Sequence, residues 1–123
     1  ILFAGIAVLA IIVLTIKFSV RRRRPEGEWG GIYRNTDPHS FPSGHAARAF
    51  LIAILASGLG PIWLAILLCL WAPLVSLARV AMGVHYLSDI VAGMILGIIV
   101  GGIGPQIAPA FLAWLANLLP ALF

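Results

Sequence analysis

The chain has 123 residues, 62% of them hydrophobic and only 10% charged, with a formal net charge of +4. A mean hydropathy of +1.08 excludes an ordinary soluble domain and makes a membrane-embedded unit the natural reading. The basic residues are few, lie between Lys17 and Arg48 with Arg79 apart, and make no aromatic-interleaved basic surface of the kind that stacks bases, which argues against nucleic acid as a partner.

A spanning helix needs about 20 mostly apolar residues, and at least four runs of that order can be drawn here. Residues 1 to 16 are almost uniformly apolar and predict the first helix. Lys17 and the arginines 21 to 24 follow, and Pro25 marks the boundary by disfavouring helix in its predecessor. Residues 26 to 40 are rich in Gly, Asn, Asp and charge, so they read as an interfacial loop with Trp29 and Tyr33 at head-group level. A shorter second helix is expected over residues 45–57, with Arg48 one turn in. After a tight uncharged connection at 58–61, a third runs over 62–78, with a kink expected at Pro73. A fourth is expected over 86–103, ended by Gly104 and Pro105, and residues 107–123 form a fifth apolar segment. The fold class is therefore all-α, a polytopic transmembrane bundle with at least four spanning helices.

Counting crossings brings residues 17–45 and 79–89 to the same face of the membrane. Every charged residue falls in or beside those two regions, so one face holds the chemistry.

His85 and Asp89 stand four residues apart, which makes them neighbours on one helix face. A carboxylate on one imidazole nitrogen fixes the tautomer and leaves the other nitrogen's lone pair for attack or proton abstraction, but the pair is equally a tie between helices. The same ridge continues through Gly93, Gly97 and Gly101, where a second helix can approach closely. In Pro42-Ser43-Gly44-His45, the serine can cap a helix whose free N–H groups suit an anion, and the histidine can protonate a leaving oxygen or merely sit at the interface. Arg21, Arg22 and Arg23 read as head-group anchors. Arg48 suits a phosphate or a snorkelling role, and His39 reads as a solvated loop residue. Cys69 reads as a buried small hydrophobe, and Trp63, Trp71 and Trp114 as packing or interface residues.

Lys17 with Arg24-Pro25, then Pro42-Ser43-Gly44-His45, then Arg79, His85 and Asp89, resemble the three signature motifs of the type 2 phosphatidic acid phosphatase superfamily. This group comprises membrane lipid phosphate phosphatases and soluble vanadium haloperoxidases. The resemblance implies one membrane-embedded phosphatase domain over residues 1–123, with an active-site loop at about 17–45. It implies metal-independent hydrolysis of a phosphomonoester or pyrophosphate on a membrane lipid, without a cofactor. His85 would become transiently phosphorylated, Asp89 would orient it, and His45 would protonate the leaving group. Lys17, Arg24, Ser43, Gly44 and Arg79 would hold the phosphoryl oxygens.

One departure is Ala78, where the family usually has serine; Ser76 is a candidate substitute. A non-catalytic lipid-phosphate binding or transport module on the same scaffold is the alternative reading. The family commonly has six spanning helices, so further N-terminal helices are expected. The bacterial members resembled place the site outside the cell membrane, whereas the arginine block by itself points to the cytoplasm. Which lipid is the substrate, and the oligomeric state, are not legible.

Overall fold

A computed structural model describes residues 2–22 and 39–120. Arg23, Arg24, Trp29, Tyr33 and Arg34, on which several expectations fall, lie outside the described residues. The described residues form four α-helices, α1 (Leu2–Val20), α2 (Gly44–Leu59), α3 (Ile62–Ala81) and α4 (Leu87–Leu118). Three of them, α1, α3 and α4, are long and apolar enough to cross a membrane, while α2 is an apolar helix of 16 residues.

The short helix is the centre of the bundle. Ala46, Ala47, Ala49, Leu51, Ala53 and Leu55 of α2 are all buried. Leu51, Leu55 and Ala47 pack with Leu9 and Val13 of α1 and with Leu96 and Val100 of α4. On its other side, Ala49 and Ala53 meet Ala72 of α3. The alanines matter because helix association in lipid gains little from hydrophobicity itself and depends on close packing.

Closest approach occurs between α2 and α4. A Cβ added at Gly93 would stand 2.5 Å from the Ser43 carbonyl oxygen, one at Gly97 would collide with the Ala47 carbonyl, and one at Gly101 would meet Ile54 at 3.1 Å. The glycine ridge expected from the sequence is the packed face of α4.

Each of the three outer helices buries one narrow stripe, and each stripe runs into a charged residue at the same end of the bundle. In α1 the stripe is Leu9, Val13 and Lys17. In α3 it is Ala72, Ser76 and Arg79. In α4 it is Asp89, Ile90, Gly93, Gly97 and Gly101. The spacing of three or four residues keeps each set on one helix face, so the packing that holds the bundle also aims the charges inward. Large apolar side chains on the other faces are open, among them Phe3 at 85% and Ile62 at 76% exposure, as suits contact with lipid tails.

Several expectations are corrected. The fourth helix does not stop at Gly104-Pro105; α4 is continuous for 32 residues and contains Pro105 and Pro109. That is about 48 Å at the usual helical rise, against a hydrocarbon core of roughly 30 Å. Pro105 withholds a backbone donor from the Gly101 carbonyl, and beside it the Gln106 side chain donates to the Gly102 carbonyl at 3.0 Å. Pro73, by contrast, lies inside α3 as expected. Cys69 is exposed, with its sulfur 3.6 Å from the Ser57 hydroxyl. Of the two roles left to Trp63, Trp71 and Trp114, packing or interface, exposures of 41% or more fit the second.

Candidate active site

The C-terminal ends of α1 and α3 and the N-terminal ends of α2 and α4 meet at one end of the bundle. Cations near helix C-termini and anion-seeking N–H groups at helix N-termini are electrostatically favourable placements, and here they share one space. Lys17 and Arg79 are buried in the last turns of α1 and α3, with exposures of 6% and 8%.

The entry to α2 is built by Pro42 and Ser43, and the Phe41–Pro42 peptide is cis. Ser43 is the N-cap: its hydroxyl accepts the Ala46 N–H at 3.2 Å, and its carbonyl accepts the Ala47 N–H at 3.0 Å. Gly44 is buried in the first turn, whereas His45 is exposed. The Arg48 guanidinium folds back along that turn and would lie 3.5 Å from a Cβ on Gly44. Arg79, Arg48, His85 and Lys17 all act electrostatically on the His45 imidazole. The sequence left Arg48 open between two roles; its side chain turns toward the site.

Between α3 and α4 the chain turns through Gly83, whose φ of 72° suits glycine, and whose N–H donates to the Val80 carbonyl. His85 lies in this turn, ahead of the Tyr86 N-cap, so it is not on the helix itself as the spacing suggested. Asp89 still reaches it, because residue 85 sits one turn below the third residue of α4. His85 Nδ1 and Asp89 Oδ2 are 3.4 Å apart, with both side chains buried. The same oxygen accepts the Tyr86 N–H at 2.8 Å, which caps the helix and fixes the carboxylate. The Asp89 backbone carbonyl accepts the Ser43 N–H at 3.0 Å.

The other Asp89 oxygen, Oδ1, is 3.1 Å from Nη1 of Arg22. This arginine also hydrogen-bonds the Ser88 hydroxyl and lies over the rings of Phe41 and Tyr86. Reading Arg22 as a head-group anchor was therefore wrong. The sequence held no local signal for its pairing, which depends on where the chain returns after the loop. An open cavity of about 580 Å³, lined by Arg22, Tyr86, Leu87 and Ser88, lies beside the pair.

The remaining expectations divide. Lys17, Ser43, Gly44, His45, Arg79, His85 and Asp89 stand at the same end, while Arg24 lies outside the described residues. Ser76 is no evident substitute for the serine missing at Ala78, since its hydroxyl donates to the Ala72 carbonyl at 2.8 Å. His39 is half-buried, with its ring edge-on to Phe18 at 5.8 Å, so it is not a freely solvated loop residue. Among the described residues no three His, Cys, Asp or Glu side chains converge to hold a metal ion.

An imidazole backed by a buried carboxylate, a second imidazole open to solvent, and several cations gathered at helix ends make a set suited to phosphoryl chemistry. The family model of the PAP2 superfamily matches residues 1–113, and the chain belongs to that superfamily. It is 37% identical over 101 residues to the decaprenylphosphoryl-5-phosphoribose phosphatase of Mycobacterium tuberculosis, a match covering 81% of this chain and 55% of that protein. It is 32% identical over 103 residues to the lipid A 1-phosphatase of Porphyromonas gingivalis, covering 81% of this chain and 21% of that one. With the undecaprenyl-diphosphatase of Sulfolobus acidocaldarius, identity is 42% over 59 residues, 48% of this chain and 29% of the relative. The chain thus spans about half the length of the mycobacterial relative and less of the other two. No solved structure matches it. Three helices of spanning length and membership of this superfamily make it an integral membrane protein.

Proposed function

We propose that this protein is a lipid phosphate phosphatase that removes the terminal phosphate from a long-chain membrane lipid phosphate or pyrophosphate through a phosphohistidine. The observation that carries the reading is the buried His85–Asp89 pair, set at the end of the bundle where Lys17, Arg79 and His45 also converge.

In the tautomer with Nδ1 protonated and held by Asp89, His85 presents its Nε2 lone pair to phosphorus. Attack forms the N–P bond as the bond to the leaving oxygen breaks, and His45 gives that oxygen its proton. Lys17, Arg79, the Gly44 N–H and, from the loop, Arg24 neutralise the equatorial oxygens, with Ser43 at their edge. Such in-line transfer asks mainly for positioning and charge stabilisation. Water then gives a proton to His45 and attacks phosphorus, the N–P bond breaks, and inorganic phosphate leaves with both histidines restored.

The lipid's tail would lie against the open apolar faces of the helices while its head group entered the charged end. The names of the relatives support a phosphate carried on a polyprenyl or acylated lipid without choosing between them. We further propose that the charged end faces outward from a bacterial-type cell membrane. Lys17 is buried, Arg22 is paired with Asp89 and Arg48 folds onto Gly44, so these charges serve the site and say little about orientation. Labelling a cysteine introduced at Asn35 from outside intact cells tests this, in a Cys69→Ala background because the native thiol is exposed.

The activity is tested by phosphate release in detergent from polyprenyl diphosphate, a polyprenyl-linked phosphosugar, phosphatidic acid and phosphatidylglycerol phosphate, with His85→Ala as the blank. Release from at least one of them, lost in the blank, is expected. The Ala78 departure motivates the alternative, a lipid-phosphate binding module. Tight retention of the lipids with no release from any would favour it.

A further inference from the structure

Asp89 divides its two oxygens between partners of different kinds. Oδ2 serves His85 and the Tyr86 N–H, while Oδ1 faces Arg22. Arg22 itself is held on several sides. Its carbonyl accepts the Ser40 N–H at 2.8 Å, which joins the end of α1 to the segment leading into Pro42. Its guanidinium carbon stands 5.1 Å from the Phe41 ring centroid and 5.7 Å from that of Tyr86. A guanidinium over aromatic rings, with an amino group on a fully buried carboxylate, is well placed to fix that carboxylate's orientation.

We infer that Arg22 is a positioning residue for the nucleophile: it orients the Asp89 carboxylate toward His85 and offsets its charge, keeping the imidazole in its neutral, attacking form. The inference rests on the phosphatase reading above. A carboxylate facing an imidazole alone would favour imidazolium, which cannot attack. A cation on the far oxygen opposes that tendency while leaving the hydrogen bond to Nδ1 in place. The other charged or titratable groups at this end among the described residues include Lys17 from α1, Arg48 and the His45 they act on from α2, Arg79 from α3, and Tyr86, whose ring lies against Arg22. All of them stay unchanged in the test below.

The test measures kcat, KM and the pH profile of kcat/KM for wild type, Arg22→Gln and Arg22→Lys in detergent, with thermal midpoints. In Arg22→Gln, Asp89 is left unopposed, so the acidic limb, which reports loss of neutral His85, should move to higher pH by about one unit. Its kcat should fall by about 10- to 100-fold with little change in KM. Arg22→Lys keeps the charge, so its limb should stay near wild type while kcat falls less. A lowered midpoint with an unmoved limb would reduce Arg22 to a structural tie, and a raised KM at unchanged kcat would make it a substrate contact; either result overturns the inference. Should Arg22→Gln fail to fold, Arg22→Lys decides alone, since wild-type kcat in that variant also overturns it. Turnover persisting in His85→Ala is a separate result that would overturn the phosphatase reading itself.

Discussion

The Ser43 N–H donates to the Asp89 carbonyl at 3.0 Å, joining the cap of α2 directly to the first turn of α4. Through this bond the serine of one motif is held against the residue that completes another, although 46 positions separate them in the sequence. The two histidines flank it: His45 follows Ser43 by two residues and His85 precedes Asp89 by four. The relative position of the proposed acid and nucleophile therefore depends on how closely α2 and α4 approach.

That approach rests on glycine. Gly97→Ala would push a methyl group into the Ala47 carbonyl, a backbone atom that cannot swing aside. We expect a loss of about 1–3 kcal/mol of stability from overpacking, read as a lowered thermal midpoint in detergent. Activity should fall as well, because widening the α2–α4 gap strains the Ser43–Asp89 bond. Gly102→Ala, with open space around it, is the matched control and should change neither.

His45 is open to solvent and stands among cations, as befits a group that exchanges protons with a leaving oxygen and with water. His45→Ala should lower kcat on a lipid phosphate by about 10²- to 10⁴-fold. The loss in the phosphorylation step should be much smaller with an aryl phosphate whose leaving group needs no proton. Single-turnover rates for both substrates check this, and equal losses would remove His45 from the role of acid.

Arg79 arrives at the site on the buried stripe of α3 and presents a planar fork of donors. Arg79→Lys keeps the charge but loses that fork, and kcat/KM should drop about tenfold or more, the worth of one hydrogen bond to a charged group. Inhibition by inorganic phosphate should weaken in parallel. Because the charge stabilisation is assigned to Lys17, Arg79 and helix N-termini, turnover should also be unchanged in the presence of a chelator.

How far the sequence could be read depended on how local each feature is. The ridge of Gly93, Gly97 and Gly101 follows from spacing within one element, and the His85–Asp89 pair from a spacing of four across the start of that element; both are found, although His85 stands ahead of the helix. Arg22 was misread because its partner is set by the return of the chain near Ser40, which no periodicity encodes. Cys69 was misread for another reason: in helices apolar all round, hydropathy does not separate the face turned to lipid from the face turned to protein. The end of α4 failed where a local rule met its context, since Pro105 breaks helices in general but here lies inside a helix that continues to Leu118. Arg24 lies outside the described residues, and its role remains a proposal.

The most direct test of the central claim is a rapid acid-free quench of the purified protein turning over a lipid carrying a radiolabelled terminal phosphate. The account predicts a base-stable, acid-labile label on the protein that maps to the peptide containing His85, accumulates within the first turnover and is absent in His85→Ala. Steady phosphate release with no labelled protein at any quench time, together with wild-type turnover in His85→Ala, would contradict it.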